Sequence, residues 1–278
     1  MKLKFTKMHG AGNDFVMIDD RAGTVPWEDH FLMAALAARR TGIGCEGVIL
    51  LQHSDKADFR MRFLNPDGTE VEMCGNGSRC AAAFAHSVGA SGKALTMETM
   101  CGLVDAQLTD KGVCVWFPEP TKRNYGIEIK VGSETVKGDF LNTCVPHFVV
   151  QVPNISTVNV QELGRALRLH PAFAPEGANI DFVSFRAPNR MTMRTYERGV
   201  EAESGACGTG AIACAVVAVE TMQFTLPAKV KTSSGYDLTI DGDWRRHKCT
   251  GLTLMGPVKF VFSGEIDLDD IDMGGEID

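Results

Sequence analysis

Shifted by 133 positions, the first half of this 278-residue chain lies on the second: Cys74, Gly75 and Gly77 fall on Cys207, Gly208 and Gly210. The same shift carries Phe15-Val16 onto Phe148-Val149, Gly44 onto Gly177, Thr99 onto Thr232 and Gly102 onto Gly235. Matches held in one register across nearly half the chain point to two homologous lobes. A chain of this length forms one large domain or two of about 130–150 residues, and the repeat selects two.

Each lobe reads as strands interrupted by one central helix. In the first, strands are expected at 3–7, 15–18, 47–51 and 59–64, with a helix over 27–40 whose apolar residues fall at helical spacing. Asn65-Pro66-Asp67-Gly68 is a strong turn signal. Residues 78–88, rich in Ala and Cys, predict a buried helix. The second lobe repeats the plan with strands at 148–152, 180–185 and 191–197 and helices near 160–168 and 210–221. This pattern indicates an α+β fold of two pseudo-symmetric lobes, each a mostly antiparallel sheet wrapped around a central helix. Pro118-Glu119-Pro120 is the best linker, giving an N-terminal lobe of 1–118, rejoined by a final strand at about 258–265, and a C-terminal lobe of 119–257. From Glu265 onward the chain carries seven acids in fourteen residues, so 266–278 is expected to be a solvated, disordered acidic tail.

The repeated element with chemical content is Cys-Gly-x-Gly running into a helix, at Cys74 and at Cys207. Glycines let the backbone approach a ligand closely. A helix N-terminus offers unpaired N–H groups and partial positive charge, which favour a thiolate and a bound carboxylate. Two such thiols suit a racemase or epimerase, in which one removes an α-proton and the other delivers one from the opposite face. A single glycine-flanked cysteine would more often be structural; duplication tips the balance towards function.

Composition excludes several alternatives. The net charge is −7, and no Lys/Arg cluster offers a phosphate footprint, so no nucleic-acid partner is expected. The longest apolar run, 211–219, is far too short to span a bilayer, and the N-terminus shows no secretory signal, so a cytoplasmic location is expected. Nine cysteines without a CxxC pair argue for free thiols and against a disulfide framework or thiol-redox motif. Cys45, Cys101, Cys114, Cys214 and Cys249 read as inert core residues. No P-loop or dinucleotide fingerprint asks for a cofactor.

The stretches HGAGNDFV (9–16), FLNPDGTEVEMCGNGSRC (63–80), PHFVV (146–150), ANIDFV (178–183) and ERGVEAESGACGTG (197–210) resemble the diaminopimelate epimerase family, over residues 9 to about 256. The resemblance implies two lobes clasping the substrate and catalysis without pyridoxal phosphate or metal, in the supply of lysine and peptidoglycan precursors. It implies that Cys74 and Cys207 are the acid–base pair, and that His147 and Glu197 help to set their protonation. The backbones of Gly75, Asn76, Gly208 and Thr209 would hold the carboxylate at the reacting centre. Asn13, Asn65, Asn179, Glu197 and Arg198 would bind the rest of the substrate, with Arg198 a fork for the remote carboxylate and Glu197 a partner for an ammonium group. The expected partner is the small-molecule substrate diaminopimelate, with neither nucleic acid nor membrane; a homodimer is compatible with the sequence. The alternative is a related racemase of the histidine or proline/hydroxyproline type.

Three departures from the family pattern stand out. Where many relatives read Gly-Asn-Pro-His, this chain reads Cys144-Val145-Pro146-His147. The segment between Arg198 and Cys207 is one residue longer than the commonest pattern, and Gly47 stands where some relatives carry glutamine. None touches the two cysteines, so substrate selectivity is the property they bear on.

Overall fold

The computed structural model describes residues 1–272 except 72, 187 and 223. The chain divides into two compact units, Met1–Val115 together with the chain from Pro257 onward, and Trp116–Gly256. The first contains β1 (Lys2–Gly10), β2 (Asn13–Asp19), α1 (His30–Ala37), β3 (Val48–Gln52), β4 (Phe59–Leu64), α2 (Gly75–Ser87), β5 (Ala94–Thr99), β6 (Gly102–Thr109) and β7 (Gly112–Trp116). The second contains β8 (Thr121–Val131), β9 (Glu134–Asn142), β10 (Pro146–Gln151), α3 (Val160–Arg168), β11 (Asn179–Arg186) and β12 (Arg190–Glu197). It continues with β13 (Ala202–Ser204), α4 (Gly208–Met222), β14 (Ala228–Lys231), β15 (Asp237–Arg245) and β16 (Lys248–Gly256). β17 (Val258–Asp267) returns to the first unit and runs antiparallel to β1.

The sequence repeat is also a repeat of strand pairing. In the first unit β1 runs antiparallel to β2, β2 parallel to β3, β3 antiparallel to β4, β4 parallel to β5, and β5, β6 and β7 follow antiparallel. In the second, β9 and β10 are antiparallel, β10 and β11 parallel, β11 and β12 antiparallel, β12 and β14 parallel, and β14, β15 and β16 antiparallel. β17 edges β1 as β8 edges β9. Each sheet is therefore mostly antiparallel, with parallel steps where a helix carries the chain across.

Each sheet wraps one helix. α2 packs against β1, β2, β3, β4, β6 and β17, and α4 against β9, β10, β11, β12, β14 and β15. Residues 75–85 and 208–218 are buried without a break, so these helices have no solvent face. Their alanines and glycines keep the girth small enough for strands on every side. Burial of Phe15 and Phe59 in the first unit, and of Phe148 and Phe182 in a cluster with Val160 and Leu167 of α3 in the second, supplies apolar area at about 25 cal/mol per Å².

Two expectations need correction. The helix expected over 27–40 is confined to His30–Ala37: the Asp29 side chain accepts from Leu32 N at 3.1 Å and so fixes the start. Its last carbonyls accept from Ile43 N and Cys45 N, both at 3.0 Å, which turns the chain back before Arg39 and Arg40 can extend the helix. The tail expected to be solvated from 266 instead continues β17 to Asp267, makes a 3-10 turn at Leu268–Asp270 and buries Ile271 in the core beside Ile266 and Leu268. Two of its acids are held by the Met1 ammonium, 2.8 Å from Asp267 Oδ1 and from Asp269 Oδ2. The remainder, 273–278, lies outside the described residues.

Candidate active site

In the first unit Cys74 is the N-cap of α2: its Sγ accepts from Gly77 N at 3.3 Å. The backbone of β1 comes so close to this first turn that a Cβ on Gly10 would lie 2.8 Å from the Asn76 carbonyl oxygen. The Cys74 thiol lies 3.7 Å from Asn13 Oδ1, which also accepts from Asn76 Nδ2 at 3.3 Å. Asn13 Nδ2 donates to Glu46, so the amide is oriented by a carboxylate behind it. Asn76 Oδ1 accepts from Arg79 at 2.6 Å, and the same guanidinium donates to Gly75 O at 3.1 Å. Arg79 is completely buried, and burial brings its guanidinium down to about 10, so it stays charged near neutral pH. Below Asn13, buried Lys7 holds Asp14 at 2.6 Å. Burial pushes the Asp14 carboxyl up, yet hydrogen bonds from Lys7 and Arg39 outweigh this and hold it below its ordinary value.

In the second unit the equivalent thiol, Cys207, leads into α4, with Gly210 N hydrogen-bonded to its sulfur and Ala211 N bonded to its carbonyl at 3.0 Å. Its Sγ is 3.5 Å from Thr209 Oγ1, which lies 3.0 Å from His147 Nε2. His147 Nδ1 meets Asp181 Oδ2 at 2.6 Å, and Asp181 Oδ1 accepts from Thr195 Oγ1 at 2.7 Å. His147 and Asp181 are both fully buried. Asn179 Nδ2 donates to Pro146 O at 3.3 Å, and its Oδ1 accepts from Arg198 N at 2.7 Å. The expected ionisation of Cys207 at a helix end is not what its surroundings favour. Burial, then the charges of Glu197 and Asp181, push the thiol well above its ordinary value, outweighing the hydrogen bonds from Thr209 and Gly210.

The structure thus gathers Asn13, Asn76 and Gly75 around Cys74, and His147, Asn179, Glu197, Gly208 and Thr209 around Cys207. The backbone of Arg198 joins the second group, and its side chain is half-buried. Asn65 sits in the turn after β4, with its N–H on Thr69 O at 2.8 Å. Arg79, Glu46 and Asp181 are absent from the sequence reading. For Asp181 and Arg79 the signal was a charge inside an apolar stretch: Asp181 between Ile180 and Phe182, Arg79 before Cys80 and three alanines. Such a residue must find partners, because an unpaired buried charge is costly.

The departures have local accommodations. A Cβ on Gly47 would collide with the Phe63 ring, which fills the space a glutamine stem would take. The longer 198–207 segment folds into a turn closed by Glu201 N on Glu197 O at 2.9 Å, then pairs β13 with β12. Val145 is buried. Of the cysteines read as core, Cys45, Cys214 and Cys249 are buried, whereas Cys114 is half-buried and Cys101 exposed. Cys101 lies in the turn between β5 and β6.

The sequence profile of the diaminopimelate epimerase family matches residues 5–118 and 140–261. The chain belongs to the diaminopimelate epimerase family. The diaminopimelate epimerase of Aquifex aeolicus (strain VF5) is 41% identical over 278 residues, covering 95% of this chain and 98% of the relative. That of Hydrogenobaculum sp. (strain Y04AAS1) is 38% identical, with the same coverage of 95% and 98%. Among solved structures, a probable proline racemase from Agrobacterium radiobacter K84 superposes with a TM-score of 0.76 at 17% identity, covering 97% of this chain and 94% of that one. A hydroxyproline epimerase from Agrobacterium vitis gives 0.74, also at 17% identity, with 95% and 92% covered. These structural likenesses establish the diaminopimelate epimerase-type α+β fold. No helix among the described residues is long and apolar enough to cross a membrane.

Proposed function

We propose that this chain interconverts LL-2,6-diaminopimelate and meso-diaminopimelate by moving the proton on one α-carbon, with Cys74 and Cys207 as the two acid–base groups. The observation that carries the reading is the matched setting of the two thiols. Each leads into a helix buried on all sides, and each sulfur receives the N–H of a glycine three residues on. Inverting a carbon requires a proton to leave one face and another to arrive at the opposite face, so two groups of like kind are needed.

The N–H groups of the first turns, at Gly75, Asn76, Gly208 and Thr209, hold the α-carboxylate. They stabilise the charge that grows on it as the proton departs. Cys207, which burial and neighbouring acids keep protonated, enters as the proton donor. His147 and Glu197 set the protonation of the thiols. Asn13, Asn65 and Asn179 hydrogen-bond the substrate. Arg198 grips the remote carboxylate as a bidentate fork, and Glu197 pairs with an ammonium group. The reaction, on the family resemblance, uses neither pyridoxal phosphate nor metal, runs in the cytoplasm and feeds lysine and peptidoglycan precursors. A homodimer is compatible with this scheme.

The test is a substrate panel. Purified enzyme in deuterium oxide is given LL-diaminopimelate, histidine, proline, hydroxyproline and lysine, with and without a chelator and a carbonyl reagent. Deuterium is expected at Cα of diaminopimelate alone, at a rate neither reagent changes. Comparable exchange on proline or histidine, with diaminopimelate inert, would overturn the substrate assignment.

A further inference from the structure

Asp181 lies on β11 between two apolar residues and is wholly enclosed, with each carboxylate oxygen engaged: Oδ1 by Thr195 Oγ1 at 2.7 Å and Oδ2 by His147 Nδ1 at 2.6 Å. An ionised carboxylate only accepts hydrogen bonds, so Nδ1 carries the imidazole proton, and in the neutral ring Nε2 is left as an acceptor. Two donors converge on that nitrogen, Thr209 Oγ1 at 3.0 Å and Asn179 Nδ2 at 3.5 Å. Thr209 has a single O–H. With that O–H directed to Nε2, its lone pair faces Cys207 Sγ, 3.5 Å away, and receives the thiol proton. The carboxylate occupies the space beside the start of α4, where a Cβ on Gly210 would strike Oδ1. The glycine of the second repeat thus leaves room for the acid. Also facing the sulfur are Glu197 from β12 and Cys214 from α4.

We propose that Asp181 is a positioning residue that fixes the His147 tautomer and thereby directs a Cys207–Thr209–His147 proton relay. This deepens the epimerase reading and rests on Cys207 being one of its acid–base groups. In the relay the S–H proton passes to Thr209 Oγ as the Oγ–H proton passes to His147 Nε2. The thiol becomes a thiolate, the imidazole an imidazolium, and the hydroxyl is regenerated. No net charge is created, and Asp181 remains ionised as counter-ion to the imidazolium. The reverse transfer restores the thiol. A sulfur shut away from water thereby has a route for losing and regaining its proton.

The experiment combines nitrogen-15 NMR of histidine-labelled enzyme with kinetics. The His147 resonances are assigned by their loss in His147→Gln. Wild-type enzyme at a pH where the ring is neutral is expected to show Nδ1 protonated and Nε2 bare; a proton on Nε2 overturns the proposal without need of any variant. Asp181→Asn is expected to shift the tautomer towards Nε2–H and to lower kcat by about 10- to 100-fold with little change in KM. A purely structural role would instead lower Tm and leave the tautomer and the pH profile of kcat unmoved. Should Asp181→Asn fail to fold, Thr209→Ser and Thr209→Val decide: valine, which lacks the hydroxyl, is expected to fall about tenfold or more below serine in kcat. Equal rates for serine and valine overturn the relay. Wild-type enzyme that shows the expected tautomer but no exchange on diaminopimelate would refute the substrate reading while leaving the Asp181–His147 arrangement measured.

Discussion

Cys144 holds φ at +76°, a left-handed conformation in which a Cβ crowds the following carbonyl. It stands at the glycine of the pattern Gly-Asn-Pro-His, directly before the strand that carries His147. The departure from glycine therefore places a strained residue three positions from the buried histidine. Cys144→Gly is expected to raise stability by about 0.5–1 kcal/mol, the relief of strain being partly offset by the greater freedom of glycine in the unfolded chain. Cys144→Val, branched at Cβ, should cost about 1–2 kcal/mol. Urea midpoints of the two variants check this, and a stabilised valine variant would contradict it. Cys207 teaches a second lesson at the same scale. A helix terminus lowers a thiol only where water or cations share the site, and here enclosure beside Asp181 and Glu197 prevails.

Helices α2 and α4 are built from small residues because strands surround them, and ordinary helix propensity is a poor guide inside them. On an exposed helix, Gly→Ala stabilises by about 1 kcal/mol. Gly210→Ala should do the opposite, destabilising by about 1–3 kcal/mol, because the new methyl meets the Asp181 carboxylate and must displace it from His147. Epimerisation should fall with it, while far-UV circular dichroism stays native. Unchanged activity would mean that Asp181 yields without consequence. At this scale much was legible beforehand. Alanine-rich runs after each Cys-Gly-x-Gly marked the central helices, alternation marked β4, and the repeat of the first lobe's plan placed β11 and β12. The β8–β9 hairpin was not foreseen, because only Ile129 in β8 and Val136, Gly138 and Leu141 in β9 are buried, leaving a weak apolar pattern. The charged positions behind the site also escaped notice. A single Asp or Arg in an apolar run says that a partner exists, but sequence spacing does not say that Asp181 meets a histidine 34 residues away.

Over the whole molecule, buried thiols tie stability to alkaline pH. Burial pushes Cys45 and Cys249 up to about 11, and Cys80, Cys207 and Cys214 also rise. In the unfolded chain a thiol loses its proton near pH 8.5, so between about pH 8.5 and 11 the folded state binds more protons. Stability should be undiminished by these groups below that window and fall through it, by about 1.4 kcal/mol per pH unit for each fully shifted thiol. Cys45→Ala should show a shallower decline than the wild type from pH 9 to 10.5 in denaturant titrations; parallel slopes would contradict the assignment. The duplicated pairing order of the two units is what makes two thiols equivalent in setting, and the 133-position repeat disclosed it before any coordinate. The central claim is that one cysteine from each repeat serves one carbon. It is tested most directly by following Cα–H exchange and inversion of LL-diaminopimelate in deuterium oxide with wild type, Cys74→Ala and Cys207→Ala. The account predicts inversion with one deuterium incorporated by the wild type, and loss of inversion by several orders of magnitude in each folded variant. Inversion at a near-wild-type rate in either variant would contradict it.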